Sequence, residues 1–104
     1  MDDVRTYTGT LVVDLVLRGS RSLKDRRAPL RALVQRLRNQ GFAASQVGPA
    51  GLHQRVFVAV AAVAGSESGA EERLDAAERI LFASGFEVGV LSRDMRVATF
   101  ASGI

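Results

Sequence analysis

The 104-residue sequence has no cysteine, no tryptophan, two prolines and one histidine. Without cysteine the chain has no disulfide framework, no thiolate nucleophile and no thiolate metal site. The lone His53 has no second ligand at metal spacing and no nucleophile or paired acid to work on. We therefore expect no catalytic residues, no metal site, no cofactor and no enzyme activity, and interpret His53 as a loop or strand-edge residue.

Long hydrophobic runs are also missing. The longest uninterrupted apolar stretch is VFVAVAAVA, residues 56–64, which is too short to cross a bilayer as a helix and suits a buried strand. The opening residues, MDDVRT, contain two acids and no apolar run, unlike a secretory signal. These absences predict a single cytoplasmic domain, residues 1–104, that makes no membrane contact.

Acidic residues are scarce in one segment of the chain. Residues 18–38 hold eight basic residues and one acid, Asp25, which is a local charge of +7. The rest of the chain holds six basic residues and ten acids, a charge of −4, and the two parts sum to the net charge of +3. A basic patch on a slightly acidic protein favours a polyanionic partner.

Hydrophobic periodicity predicts four strands and two helices. Odd positions of residues 10–17 are aliphatic while the even set contains Asp14, as in a strand with one face on a core. A helix beginning near Ser22 contains Pro29, so it is either kinked or regular only from Ala28. The other predicted elements are strands at 42–47, 54–64 and 86–100, the last broken near Asp94, and a helix at 70–84 with Ser68 and Glu71 in capping-box spacing and Leu74, Ala77 and Leu81 facing inward.

The resulting order, β-α-β-β-α-β, is that of an α+β ferredoxin-like fold, a four-stranded antiparallel sheet with both helices on one face. The first and third strands are the most apolar, as expected for its central strands. The opposite face of the sheet would be open. Residues predicted to point toward that open face are Thr8, Val12, Asp14, Val16, Arg18, Arg55, Phe57, Ala59 and Ala61. An ion pair of Asp14 with Arg93 or Arg55 is expected across strands.

The start of the first helix has an unusual charge. Backbone N–H groups make a helix N-terminus partly positive, yet Lys24, Arg26 and Arg27 stand there, whereas Glu71 and Glu72 open the second helix. A bound phosphate would reverse this penalty. The candidate phosphate or nucleic-acid ligands are Ser20, Arg21, Ser22, Lys24, Arg26, Arg27 and Arg31. A solvated basic face with Ser22 as N-cap, or an acidic protein partner, would also explain the pattern.

The open sheet face is a second candidate surface. It is apolar but lacks the paired aromatic residues that stack on RNA bases in RRM-type domains. Self-association or packing against the C-terminal segment would cover it. The candidate interface residues there are Val12, Val16, Phe57 and Ala59.

Two motifs, GSRSLKDRRAPLRALVQRLRN at 19–39 and LHQRVFVAVA at 52–61, resemble the YlxP-like family of bacterial proteins of unknown function. The resemblance implies a ferredoxin-like fold. It also implies a gene near those of translation initiation factor 2 and ribosome-binding factor A, and hence a role near RNA or the ribosome. This sequence departs from the family pattern at His53, where a tryptophan is usual, at Pro29, and in QVGPAG, which lacks the usual acids.

Together these observations predict a non-enzymatic cytoplasmic protein that docks on structured RNA or a ribosomal particle. Contact would be made with the phosphate backbone through the basic start of the first helix. The alternative is a protein-interaction or homodimerisation module that uses the open sheet face.

Overall fold

The computed structural model of the chain describes residues 3–17, 23–49 and 55–101, and the side chains of these residues except 23–26. Its elements are β1 (Asp3–Val16), α1 (Leu23–Asn39), β2 (Ala43–Val47), β3 (Val56–Ala64), α2 (Glu67–Phe82) and β4 (Glu87–Ala101). The four strands form one antiparallel sheet in the order β2-β3-β1-β4. The expected ferredoxin-like α+β fold, with the first and third strands central, is confirmed.

Strand β1 places its odd residues on the helix side of the sheet. Leu11, Val13 and Leu15 are fully buried, because alternate side chains of a strand point to the same face. Each pairs with a valine of β3, at positions 60, 58 and 56 in turn, and these valines are buried too. The other members of the core are Leu33, Leu37, Phe42, Ala44, Ala62, Leu74, Ala77, Leu81 and Phe86.

Helix α1 begins at Leu23 and contains Pro29. The predicted alternative of a helix that is regular only from Ala28 is therefore wrong. It ends in a Schellman motif around Gly41, whose φ is +89°. There the Phe42 N–H donates to the Leu37 carbonyl at 3.1 Å and the Gly41 N–H donates to the Arg38 carbonyl at 3.0 Å. Glycine is favoured at this position because it adopts the left-handed conformation without a steric penalty.

Helix α2 begins earlier than the spacing predicts. Ser66 is its N-cap, and the Ser66 hydroxyl accepts a hydrogen bond from the Gly69 N–H at 3.0 Å. The predicted capping box of Ser68 with Glu71 is therefore wrong, since both residues lie inside the helix. Glu67 is the acid of the first turn. Neither described helix is long and apolar enough to span a membrane.

Strand β4 is continuous from Glu87 to Ala101, which corrects the predicted break near Asp94. The irregularity lies instead at Leu91, where the register with β1 shifts between Val12 and Val13. One extra residue in a strand makes odd-numbered and even-numbered residues exchange faces beyond that point. Val90 and Val88 therefore pair with buried odd residues of β1, whereas odd residues of β4 do so beyond the bulge.

The first and last strands extend past the rest of the sheet. Pairing of β1 with β3 ends at Tyr7, opposite Ala64, whereas pairing of β1 with β4 continues to Asp3, opposite Ala101. A two-stranded ribbon therefore leaves the sheet. Val4 and Phe100 lie opposite each other on it and are 54% and 67% exposed. An isolated two-stranded ribbon is marginal in water, so this segment gains the least from the core.

Glycine at position 9 allows α2 to pack closely against the sheet. A Cβ atom there would lie 2.7 Å from Cδ1 of Leu74, a fully buried side chain, whereas one at Gly65 would meet nothing within 4 Å. We expect Gly9→Ala to lower the free energy of unfolding by on the order of 1 to 3 kcal/mol through overpacking. Gly65→Ala is the matched control and should change stability little. Equal urea midpoints for the two variants would contradict this account of the sheet–helix contact.

Candidate nucleic-acid interface

Helix α1 presents a stripe of arginines on one flank. Arg27, Arg31 and Arg38 are all exposed. In a helix of about 3.6 residues per turn, separations of four and eleven residues rotate the side chain by only about 40° and about 20°. The three guanidiniums therefore leave the same flank over a length of roughly 16 Å. We call Arg27, Arg31 and Arg38 the arginine stripe.

The arginine stripe borders the apolar face that anchors the helix. Leu33 and Leu37 are buried, and Leu30 and Val34 are partly buried against the same core. This packing sets the rotation of α1 about its axis, and the stripe is thereby held at the boundary with solvent. The Nε of Arg38 also donates to the Ala44 carbonyl at 3.0 Å, which ties the end of the stripe to β2.

An open groove runs beside the stripe between α1 and β2, with a volume of about 660 Å³. Its lining combines aliphatic side chains with two arginines of the stripe and two amides. The lining residues are Leu30, Arg31, Ala32, Val34, Gln35, Arg38 and Gln46. Such a lining offers guanidiniums to an anionic group and aliphatic side chains to an apolar or flat group.

No carboxylate neutralises the arginine stripe within the described part of the chain. From Arg27 to Asn39 the helix contains four arginines and no acid, and no ion pair joins these arginines to the described residues. Arg55, Arg93 and Arg96, by contrast, each pair with a carboxylate. The exposed cations of α1 therefore retain their field toward solvent.

Five of the seven predicted phosphate ligands lie outside the described residues or side chains. They are Ser20, Arg21, Ser22, Lys24 and Arg26. The other two, Arg27 and Arg31, are exposed and belong to the arginine stripe. Arg38, which was not among the predicted ligands, lies on the same flank, and its helical spacing from Arg27 is the signal that would have found it.

On the open sheet face, Asp14 pairs with Arg55, one of its two expected partners. Both Nε and Nη2 of Arg55 donate to Oδ2 of Asp14, at 2.9 and 2.5 Å. Asp14 is only 9% exposed, and a Cβ at Gly89 would collide with its Oδ1. The Arg55 guanidinium also lies over the Phe57 ring, 5.8 Å from its centroid. Part of this face is therefore covered by the chain itself.

The candidate interface residues all lie on the open face. Val12 pairs directly with Ala59, and Phe57 pairs with Asp14. The four candidate residues, Val12, Val16, Phe57 and Ala59, are half-buried. His53 and Arg18 lie outside the described residues. Within residues 3–17, 23–49 and 55–101, no three His, Cys, Asp or Glu side chains are grouped so as to hold a metal ion.

A family model described as "Protein of unknown function (DUF503)" matches residues 8–95, most of the chain. This chain belongs to the DUF503 family. No curated protein matches it. The match places the chain in an uncharacterised family, and the narrower YlxP-like assignment with its genomic neighbourhood stays a prediction.

Solved structures resemble this DUF503 protein at low identity, and the first one described here shares its fold. A C-terminal segment of the alpha subunit of aIF2 from Pyrococcus abyssi is 16% identical, with a TM-score of 0.50 over 86% of this chain and 51% of that chain. The DUF503 chain thus spans about half the length of that segment. SnoaB, a cofactor-independent oxygenase from Streptomyces nogalater, is 13% identical, with a TM-score of 0.45 over 93% and 94% of the two chains. A putative PII-like signaling protein from Thermus thermophilus is 21% identical, with a TM-score of 0.37 over 96% and 92%.

Arg93 gathers the acids of α2 in this DUF503 protein. Its Nη2 donates to Glu71 at 2.6 Å and to Asp75 at 2.8 Å, and its Nη1 donates to Glu78. The three acids recur at i, i+4 and i+7 and so share one stripe of the helix. Partial burial lowers the pKa of Arg93, but the hydrogen bonds to the three carboxylates outweigh it and raise the pKa well above its ordinary value. Arg93 is therefore a permanent cation.

We expect Arg93→Gln to lower the free energy of unfolding by on the order of 1 to 3 kcal/mol, because three charged hydrogen bonds are lost. A base with a raised pKa in the folded state stabilises that state fully below its unfolded pKa. The contribution of Arg93 is thus complete at neutral pH.

Arg36→Gln is the control for this prediction, because Arg36 is exposed and has no carboxylate partner among the described residues. It should change the free energy of unfolding by less than about 0.5 kcal/mol. Urea denaturation at neutral pH measures both variants. Equal losses for the two would show that Arg93 does not hold α2 against β4.

Proposed function

We propose that this DUF503 protein is a non-enzymatic cytoplasmic protein that binds the phosphate backbone of structured RNA. The observation that carries the proposal is the arginine stripe, three exposed guanidiniums on one flank of α1 without a carboxylate partner among the described residues. Arginine matches phosphate oxygens in a bidentate geometry and is weakly hydrated. The side chains of the basic residues that directly precede the stripe in the sequence lie outside the described part of the chain.

The distribution of acids supports the same proposal. Three carboxylates of α2 converge on Arg93, and Asp14 converges on Arg55. These carboxylates are occupied within the chain and do not oppose the arginine stripe. The long-range field of a protein follows its net local charge, so a polyanion would be steered toward α1.

The expected mode of binding is recognition of backbone shape with little reading of bases. Phosphate contacts position a protein and carry no sequence information directly. The sheet face that RRM-type domains use for base stacking has Phe57 under Arg55 here. A ribosomal particle as the partner is supported by the YlxP-like resemblance, since the genes of that family lie near those for translation factors.

Neutralising two arginines of the stripe tests the proposal. Arg27→Gln with Arg31→Gln should weaken binding to ribosomal particles at least tenfold, because two charge-assisted phosphate contacts are lost. The slope of log K against log salt should also become shallower by about 0.7 to 0.9 for each lost contact. Co-sedimentation over a salt series, with titration of a labelled RNA hairpin, measures both quantities.

Arg5→Gln with Arg79→Gln provides a control of identical net charge. Both arginines are exposed and lie away from α1, on β1 and α2. This variant should bind like the wild type, because the lost charges are not in the stripe. If both double variants weakened binding equally, the effect would be one of net charge alone. Unchanged binding of the α1 double variant would refute the proposal.

The open sheet face supports a second candidate function, contact with another protein. Val12, Val16, Phe57 and Ala59 form a half-buried apolar surface with no described element above it. A carboxylate placed in such a surface opposes burial by a partner. Phe57→Asp should therefore abolish capture of a protein partner through this face while leaving RNA affinity at the wild-type value, and the reverse result would exclude this alternative.

A further inference from the structure

The outer edge of β4 is free in the described part of the chain. The sheet order places β4 at one end, with β1 as its single neighbour. At fifteen residues, β4 is three times as long as β2, the other edge strand, which has five. A long edge strand presents a row of unpaired N–H and C=O groups that can template another strand.

Exposed apolar side chains concentrate on this strand. Among the described residues with large exposed hydrophobic side chains, four of seven belong to β4, and a fifth, Val4, lies opposite one of them on β1. The four are Val90, Leu91, Val97 and Phe100, between 43% and 67% exposed. A monomer gains nothing from these side chains in water.

Beyond the bulge, β4 carries two opposite charges that can pair with the same two charges of a second, antiparallel copy. Asp94 and Arg96 both lie on the open sheet face, opposite Thr10 and Thr8. Antiparallel pairing of two copies about Met95 brings Asp94 of each copy opposite Arg96 of the other. Opposite charges at directly paired positions stabilise a sheet, and like charges destabilise it.

Neighbouring registers lack this complementarity. A two-fold axis at Asp94, Arg96 or Arg93 sets each of these residues opposite its own copy, which brings like charges together. An axis at Val97 leaves Asp94 opposite Phe100 and Arg96 opposite Ala98.

We propose that this DUF503 protein forms a two-fold homodimer in which the β4 edges of two copies pair antiparallel about Met95. The two sheets become one sheet of eight strands with all helices on the same face, because the axis is perpendicular to the sheet. In the monomer, Arg96 Nε and Asp94 Oδ2 are 3.2 Å apart and their side chains are 86% and 55% exposed. A surface pair of this kind contributes little, so both groups are available to the second copy.

Charge reversal at this pair tests the proposal. The wild type should be a dimer in light scattering, and Asp94→Arg or Arg96→Asp alone should each weaken the dimer roughly tenfold or more, because both symmetry-related pairs become like-charged. The doubly reversed variant should recover the wild-type dimer. Mixing the two single variants should yield a heterodimer, since each supplies the charges that the other lacks.

A cysteine at the axis reports the register directly. The chain contains no cysteine, so Met95→Cys introduces a unique thiol. Directly opposed residues of an antiparallel pair have Cα atoms about 4.5 to 5.5 Å apart, which is within disulfide range. Met95→Cys should form a covalent dimer on mild oxidation, whereas Val97→Cys, two residues from the axis in each copy, should not.

Circular dichroism on every variant separates loss of the dimer from loss of the fold. A wild type that stays monomeric at all concentrations overturns the proposal. So do single variants that dimerise like the wild type, or a mixture of them that stays monomeric. Phe57→Asp should leave this dimer intact, and its loss in that variant alone would place the interface on the open sheet face and refute pairing at β4.

Discussion

Pairing of β1 on both edges is the interaction on which the rest of the structure depends. Strand β1 joins β3 on one side and β4 on the other, and its residues Leu11, Val13 and Leu15 are completely buried. Full burial of each such side chain contributes about 1.5 to 3 kcal/mol. A slip of one residue would move all three to the open face. The register of β1 therefore decides which face the helices cover, and with it where α1 and its arginines lie.

The charges are divided between contacts inside the chain and a surface that faces outward. Acids of α2 form ion pairs with Arg93, and Asp14 forms an ion pair with Arg55. Within its described side chains α1 has arginines and no acids. This division means that a protein with a net charge of only +3 can still present a locally strong cationic surface. In the proposed dimer the sheet order places the two α1 helices toward opposite ends, so that two such surfaces would face the same side.

The bulge at Leu91 decides which charged residues of β4 face the helices and which lie on the open sheet face. Before the bulge, even residues of β4 face the helices, and beyond it odd residues do. This reversal turns Arg93 toward the acids of α2 and turns Asp94 and Arg96 toward the open face. Without it, a regular alternation from Val88 onward would place Arg93 on the open face. Of the two expected partners of Asp14, Arg93 therefore turns away from it and Arg55 makes the pair.

The sequence by itself determined the order of elements, the central strands and the inward residues of β1 and α2, because burial imposes periods of 2 and 3.6 on apolar residues. It also determined the basic character of α1, since composition is local. The sequence did not reveal Ser66 as the N-cap, because Ser68 and Glu71 have the spacing of a capping box. Only the hydrogen bond from the Gly69 N–H to the Ser66 hydroxyl identifies the true cap. The continuity of β4 and the partners of Arg93 were decided by the tertiary structure, because each depends on contacts between segments far apart in the chain.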